Sequence, residues 1–129
     1  MSRPTEGETY AFERTFTTDD VRRFAAVSRD TQPRHTEPDS AGRLMVHGLL
    51  TATLPTKIGG DLEMLAHTME LEFRRPVYTG DHVTCGWTHE SVEERDDGYA
   101  VTADVVCTNA DDETVMVGTI EGRLEDDGD

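Results

Sequence analysis

Positive charge is what this sequence most lacks. It has one lysine, Lys57, and 12 basic side chains in all against 27 Asp and Glu, for a formal net charge of −15. Such a deficit repels nucleic acid and anionic membrane, so neither is an expected partner. It fits a protein adapted to high salt, where screening is strong and an acidic surface stays soluble; an ordinary acidic protein is the alternative. Cysteine is scarce too. Cys85 and Cys107 lie at alternating positions of apolar runs and read as small buried hydrophobes, which leaves no disulfide framework and implies a reducing compartment. His67, His82 and His89 have no ligand spacing with a cysteine or one another, so no zinc site is expected. No apolar run approaches membrane-spanning length, and MSRPTEGETY lacks the apolar stretch of an export signal. A soluble, cytoplasmic protein is the expectation.

A chain of 129 residues suits one domain with one core. We place that domain at 1–124 and an acidic, frayed tail at 125–129. Tyr10, Phe12 and Phe16 alternate with polar neighbours as in a half-buried strand. Thr17 then suits an N-cap, Asp19 and Asp20 a first helical turn, and Val21, Phe24, Ala25 and Ser28 one helix face over Thr18 to Ser28. A loop follows from Arg29 to about Pro38, with a brief helical turn over Asp39 to Arg43. The next helix is expected from about Val46 to Ile58, bent at Pro55, stopped by Gly59-Gly60, and buried within protein because small residues flank its apolar stripe.

Four strands complete the pattern. Met69, Leu71 and Phe73 alternate with Glu70 and Glu72; Val83, Cys85, Trp87 and His89 define a second run, and Asp97-Gly98 signals the hairpin to a third, from Tyr99 to Cys107. Val115 to Leu124 is the last. Trp87 and the methionines are read as core. The fold class is α+β, one curved antiparallel sheet wrapped around a buried central helix. Such a sheet leaves edge strands, and their pairing across a two-fold axis makes a homodimer or higher homo-oligomer the expected state.

The chemistry concentrates in Ser28 to Ala41 and in Val46-His47-Gly48-Leu49-Leu50. Asp30 and His35 flank Pro33 on a turn-rich loop, where a carboxylate and an imidazole can share a water molecule. Taken alone, Asp30 reads as an Asx-turn residue and His35 as a structural histidine. His47 reads as a residue that starts the central helix.

Three blocks change that balance. Asp30-Thr31-Gln32-Pro33-Arg34-His35, followed by Ala41, resembles the D-x-N-P-x-H signature of the MaoC-like, (R)-specific enoyl-CoA hydratases of the hotdog fold. Val46 to Ala52 resembles the start of that family's central helix, and Phe73 to Asp81 a strand and turn common in it. The likeness runs from Phe16 to about Leu124. It implies a hotdog domain and reversible syn addition of water to a trans-2-enoyl thioester of coenzyme A. By position, Asp30 and His35 match the catalytic pair, and Gly48 the glycine whose backbone N–H holds the thioester oxygen. No metal and no separate cofactor is implied, coenzyme A being part of the substrate. Arg74 and Arg75 are candidates for its phosphates, and Arg29 is expected either to favour the charged form of Asp30, to point outward, or to meet a phosphate of coenzyme A. Thioester hydrolysis on the same fold, or acyl-CoA binding without catalysis, are the alternatives.

Overall fold

In the computed structural model, which describes residues 3–125, Thr17 starts the first helix as its sequence predicts. Its hydroxyl accepts the Asp20 N–H at 3.1 Å, and the Asp20 carboxylate accepts the Thr17 N–H at 2.9 Å, a closed capping box. Strand β1 (Thr9–Thr15) precedes this helix, α1 (Thr18–Ser28). Arg29, at φ 63°, ends it in the left-handed region with its N–H on the Ala25 carbonyl, and so turns the chain into the loop that bears Asp30.

That loop contains a helical turn the sequence did not announce. Residues Pro33–Thr36 form α2, because Pro33 occupies the first helical position, where its missing N–H and fixed φ are assets. Asp39 to Arg43, expected to be helical, is instead a turn gathered around one carboxylate, Oδ1 of Asp39 accepting the Ala41 and Arg43 N–H groups.

The central helix is two pieces, α3 (Gly48–Thr51) and α4 (Thr53–Asp61), rather than one from Val46 to Ile58. Pro55 has no N–H for the Thr51 carbonyl, and the break falls at Ala52. Thr53 and Thr56 hydroxyls donate to the carbonyls of Leu50 and Ala52 around it. Gly59-Gly60 does not stop the helix. Glu63, at φ 57°, does: its N–H reaches the Gly60 carbonyl and that of Met64 the Gly59 carbonyl, a Schellman motif without glycine.

Strands β2 (Leu65–Phe73), β3 (His82–Arg95), β4 (Gly98–Thr108) and β5 (Thr114–Glu125) join β1 in one antiparallel sheet of order β1-β3-β4-β5-β2. The β3–β4 turn is Asp96-Asp97, one residue earlier than expected, since Gly98 pairs with Arg95 inside the ladder. Gly98 is required there for another reason: a Cβ would stand 2.3 Å from the Leu124 carbonyl oxygen of β5. Glu125 closes β5, and the remainder of the expected tail lies outside the described residues.

The inner face of the sheet carries Val83, Cys85, Trp87, Val105, Cys107, Met116 and Ile120, buried against Leu50, Leu54 and Ile58 of the central helix. This is the curved sheet wrapped around a helix that the sequence implied. Cys85 and Cys107 are free, buried and opposite each other in register, as small hydrophobes. Strand β2 departs from expectation. At the sheet edge, its Leu65, Met69 and Phe73 are 71%, 46% and 49% exposed, so Met69 is not core.

His89 is buried on this inner face. Its Nδ1 accepts the Trp87 indole N–H at 3.0 Å, which puts its own hydrogen on Nε2, buried without a partner among the described residues. Burial pushes its pKa below the ordinary value, Glu8 opposing. The unfolded chain therefore binds a proton before the folded one does. His89 contributes stability above the ordinary histidine pKa, about 6.5, that is lost as pH falls toward the depressed folded value. Thermal unfolding between pH 7 and 5 is expected to show a smaller acid loss in His89→Gln than in the parent; equal slopes would contradict this.

Candidate functional site

Asp30, His35 and Gly48 come from three different elements and line one cavity of about 420 Å³. Asp30 lies just beyond α1, His35 on α2, and Gly48 at the first position of α3. Met45 ties the last two together, its N–H donating to the Arg34 carbonyl and its carbonyl accepting Nδ1–H of His35 at 2.7 Å. Because that acceptor is a carbonyl, Nδ1 of His35 carries a hydrogen, and in the neutral imidazole Nε2 is then a bare lone pair. This Nε2 faces Oδ2 of Asp30 at 3.7 Å, too far for a direct hydrogen bond.

Two acceptors facing each other need a donor between them. A water about 2.8 Å from each would donate one O–H to either side. His35 is buried, whereas the Asp30 side chain is 43% exposed toward the cavity.

Gln32 holds the Asp30 carboxyl below the usual carboxylate range, its amide donating to both oxygens at 2.9 and 3.2 Å; its backbone N–H, and the positive charge His35 and His47 carry when protonated, act in the same direction. Arg29, whose guanidinium was one candidate for this, takes no part. Its left-handed backbone places it at the exposed helix end. Replacing Gln32 by Leu is expected to raise the Asp30 pKa toward the ordinary value near 3.9, read from its carboxyl carbon shift in a titration. An unchanged value would show that the amide is not the cause.

Gly48 N–H and Leu49 N–H head the central helix and have no backbone acceptor among the described residues, whereas the next two N–H groups reach the His47 carbonyl. A Cβ at Gly48 would lie 3.0 Å from the Phe73 ring, so the missing side chain is what lets that ring pack against the start of the helix. Phe73 and Thr51 line the cavity as well.

Arg74 and Arg75 lie at the same cavity, each paired with a carboxylate, Glu72 at 3.4 Å and Glu113 at 3.0 Å. Arg34 joins them there. His47, read from the sequence as the start of the central helix, is its N-cap and has further contacts that the sequence did not show. It is buried, stacked on His35 with centroids 3.7 Å apart and planes 16° apart, and its Nε2–H donates to the Asp30 carbonyl at 2.9 Å. Its place directly before Gly48 was the available signal.

Ligand atoms of Asp30, His35 and His47 lie within 4.8 Å of one another, a spacing at which three ligands can share an ion. The donor set does not fit one. A metal must lie near the plane of each imidazole it binds, two stacked and nearly parallel rings have no common point close by, and Nε2 of His47 is already engaged.

A sheet curled around a split helix, with a carboxylate–imidazole pair opposite the helix start, defines a hotdog-fold protein. Residues 2–110 match the MaoC like domain, and the chain belongs to that family of dehydratases. Among curated relatives, the mitochondrial 3-hydroxyacyl-[acyl-carrier-protein] dehydratase of Arabidopsis thaliana is 28% identical over 118 residues, covering 86% of this chain and 71% of the relative. The (R)-hydratase from A. caviae, involved in PHA biosynthesis, superposes with a TM-score of 0.83 at 25% identity, over 94% of this chain and 97% of the other. An R-hydratase from Pseudomonas aeruginosa shares the fold at a TM-score of 0.83 and 21% identity, over 95% and 84%.

Proposed function

We propose that the protein is an (R)-specific enoyl-CoA hydratase, and in reverse a 3-hydroxyacyl-CoA dehydratase. The observation that carries this reading is the pair of acceptors, His35 Nε2 and Asp30 Oδ2, facing each other at 3.7 Å in the cavity that Gly48 opens onto. Water is a poor nucleophile and C3 of an enoyl thioester a weak electrophile, so both need help. The pair orients the water and takes its proton as it attacks C3, and one of the two returns a proton to C2. Negative charge that moves onto the thioester oxygen is met by the Gly48 N–H and the helix dipole behind it.

Arg34, Arg74 and Arg75 suit the phosphates of coenzyme A, in a chain whose net charge would otherwise repel them. No metal or redox cofactor takes part in this reading. The exposed apolar edge of β2 suits pairing with a second copy, giving a homodimer in the cytoplasm.

The test is hydration of crotonyl-CoA in high salt, followed by loss of the conjugated-enone absorbance. No absorbance change, with release of free thiol from a saturated acyl-CoA, would make the protein a thioesterase. Thermal stabilisation by acyl-CoA without turnover of either would make it a binding protein.

A further inference from the structure

Asp30 lies in irregular backbone between the left-handed Arg29 and Pro33, a poor foundation for a base that must be placed to a fraction of an ångström. Its N–H donates at 3.2 Å to the hydroxyl of Ser28, the last residue of α1, and its carboxylate is held by Gln32 of its own loop. The tie to the rest of the site is its carbonyl, which accepts Nε2–H of His47. His47 immediately precedes Gly48, and its own carbonyl accepts the Leu50 and Thr51 N–H groups at 3.0 and 3.1 Å, closing the first turn of α3. One residue thus joins the Asp30 backbone, the His35 ring and the start of the helix.

We propose that His47 is a positioning residue for the Asp30–His35 pair, acting through its Nε2–H on the Asp30 peptide and through its ring face on His35. This rests on the hydratase reading for its kinetic consequence but not for its geometry. The Met45 carbonyl pins one corner of the His35 ring and leaves rotation of the plane to be restrained; the stacked His47 ring restrains it and keeps Nε2 toward Asp30. Phe24, centroid 4.9 Å away, packs on His47 in turn. Nδ1 of His47 is buried with no partner among the described residues, although His47 is only 3% exposed. A hydrophobic ring would avoid leaving that nitrogen unpaired but could not donate to Asp30. An amide could donate but could not stack in the same way. Imidazole does both.

The experiment compares full-length parent with His47→Phe, which keeps the wall and loses the donor, and His47→Gln, which keeps a donor and loses the wall. Crotonyl-CoA kinetics are expected to show kcat down about 10- to 100-fold in each, with KM within about twofold, because the reacting groups are misplaced rather than the thioester released. Cooperative thermal unfolding checks that both variants fold. Nitrogen-resolved imidazole spectra of the parent, recorded without substrate, are expected to show hydrogen on Nε2 of His47 and Nδ1 of His35. In His47→Gln, the His35 signals are expected to broaden or double as the ring gains a second orientation.

Unchanged kcat in both variants, or a parent spectrum with His47 protonated on Nδ1, would overturn the proposal. So would unperturbed His35 signals in His47→Gln. If the parent hydrates no enoyl thioester, the hydratase reading fails while the spectra still decide the role of His47. Should neither variant fold, the parent spectrum decides it alone.

Discussion

Asp30→Asn is expected to lower kcat/KM for crotonyl-CoA hydration by about 10²–10⁴, and His35→Gln by a similar factor. The asparagine is nearly isosteric, and its carbonyl can still accept from the Gln32 amide, so the loop has no reason to refold around it. What changes is that no group there can take a proton. His35→Gln removes the lone pair at Nε2 in the same way. Because both acceptors are assigned to one water across a gap of 3.7 Å, the two losses should not multiply. The double variant is expected to be little worse than the poorer single one, as for residues acting as a unit. Fully multiplicative losses would mean that the two groups serve different steps, and full activity in either single variant would remove that residue from the site. An unfolding midpoint close to the parent is expected for Asp30→Asn, since Asp30 is half-exposed.

The parts of the fold legible in the sequence were those whose cause is local. The N-cap at Thr17 with acidic residues in the first turn, and the alternation Val83, Cys85, Trp87, His89, depend only on near neighbours, and both lie where they were expected. Errors arose where a local signal served a distant purpose. Gly98 looks like a turn residue, yet its missing side chain answers the Leu124 carbonyl of β5. Gly59-Gly60 looks like a helix stop, yet the left-handed position fell to Glu63, and Gly59 faces the Trp87 indole, 3.5 Å from where its Cβ would be. Met69 and Phe73 alternate like any half-buried strand, and nothing local says that theirs is a sheet edge that the helix layer covers only in part. The same division holds at the site. Spacing paired Asp30 with His35, and the family resemblance added Gly48; the three share the cavity. The stacking of His47 on His35 joins residues twelve positions apart through a turn around Asp39, and spacing cannot express that.

Trp87→Ala is expected to destabilise the fold by about 3–5 kcal/mol, the range for truncating a buried large aromatic. Trp87 is 1% exposed at the centre of β3 and is the largest of the fully buried side chains. Its indole lies under Gly59, so it supports α4 from below, and its N–H is the donor to Nδ1 of His89. Alanine removes the ring's contacts and leaves that nitrogen without a donor inside the sheet, adding an unsatisfied polar group to the cavity term. The void would also merge with an existing apolar cavity of about 210 Å³ lined by Pro55, Gly59, Met64, Ile120 and Trp87 itself, so the walls have little reason to collapse inward. Domains are stable by only about 5–15 kcal/mol, so roughly a fifth or more of the total is at stake. Denaturant unfolding of parent and variant, at one protein concentration and one salt concentration, measures it. A loss under about 1 kcal/mol would mean that α4 does not rest on this ring. Trp87→Phe separates the two contributions, since it keeps most of the packing while removing the donor. If the hydrogen bond to His89 matters beyond the packing, Phe should recover most but not all of the loss, and the remainder should shrink when His89 is replaced as well.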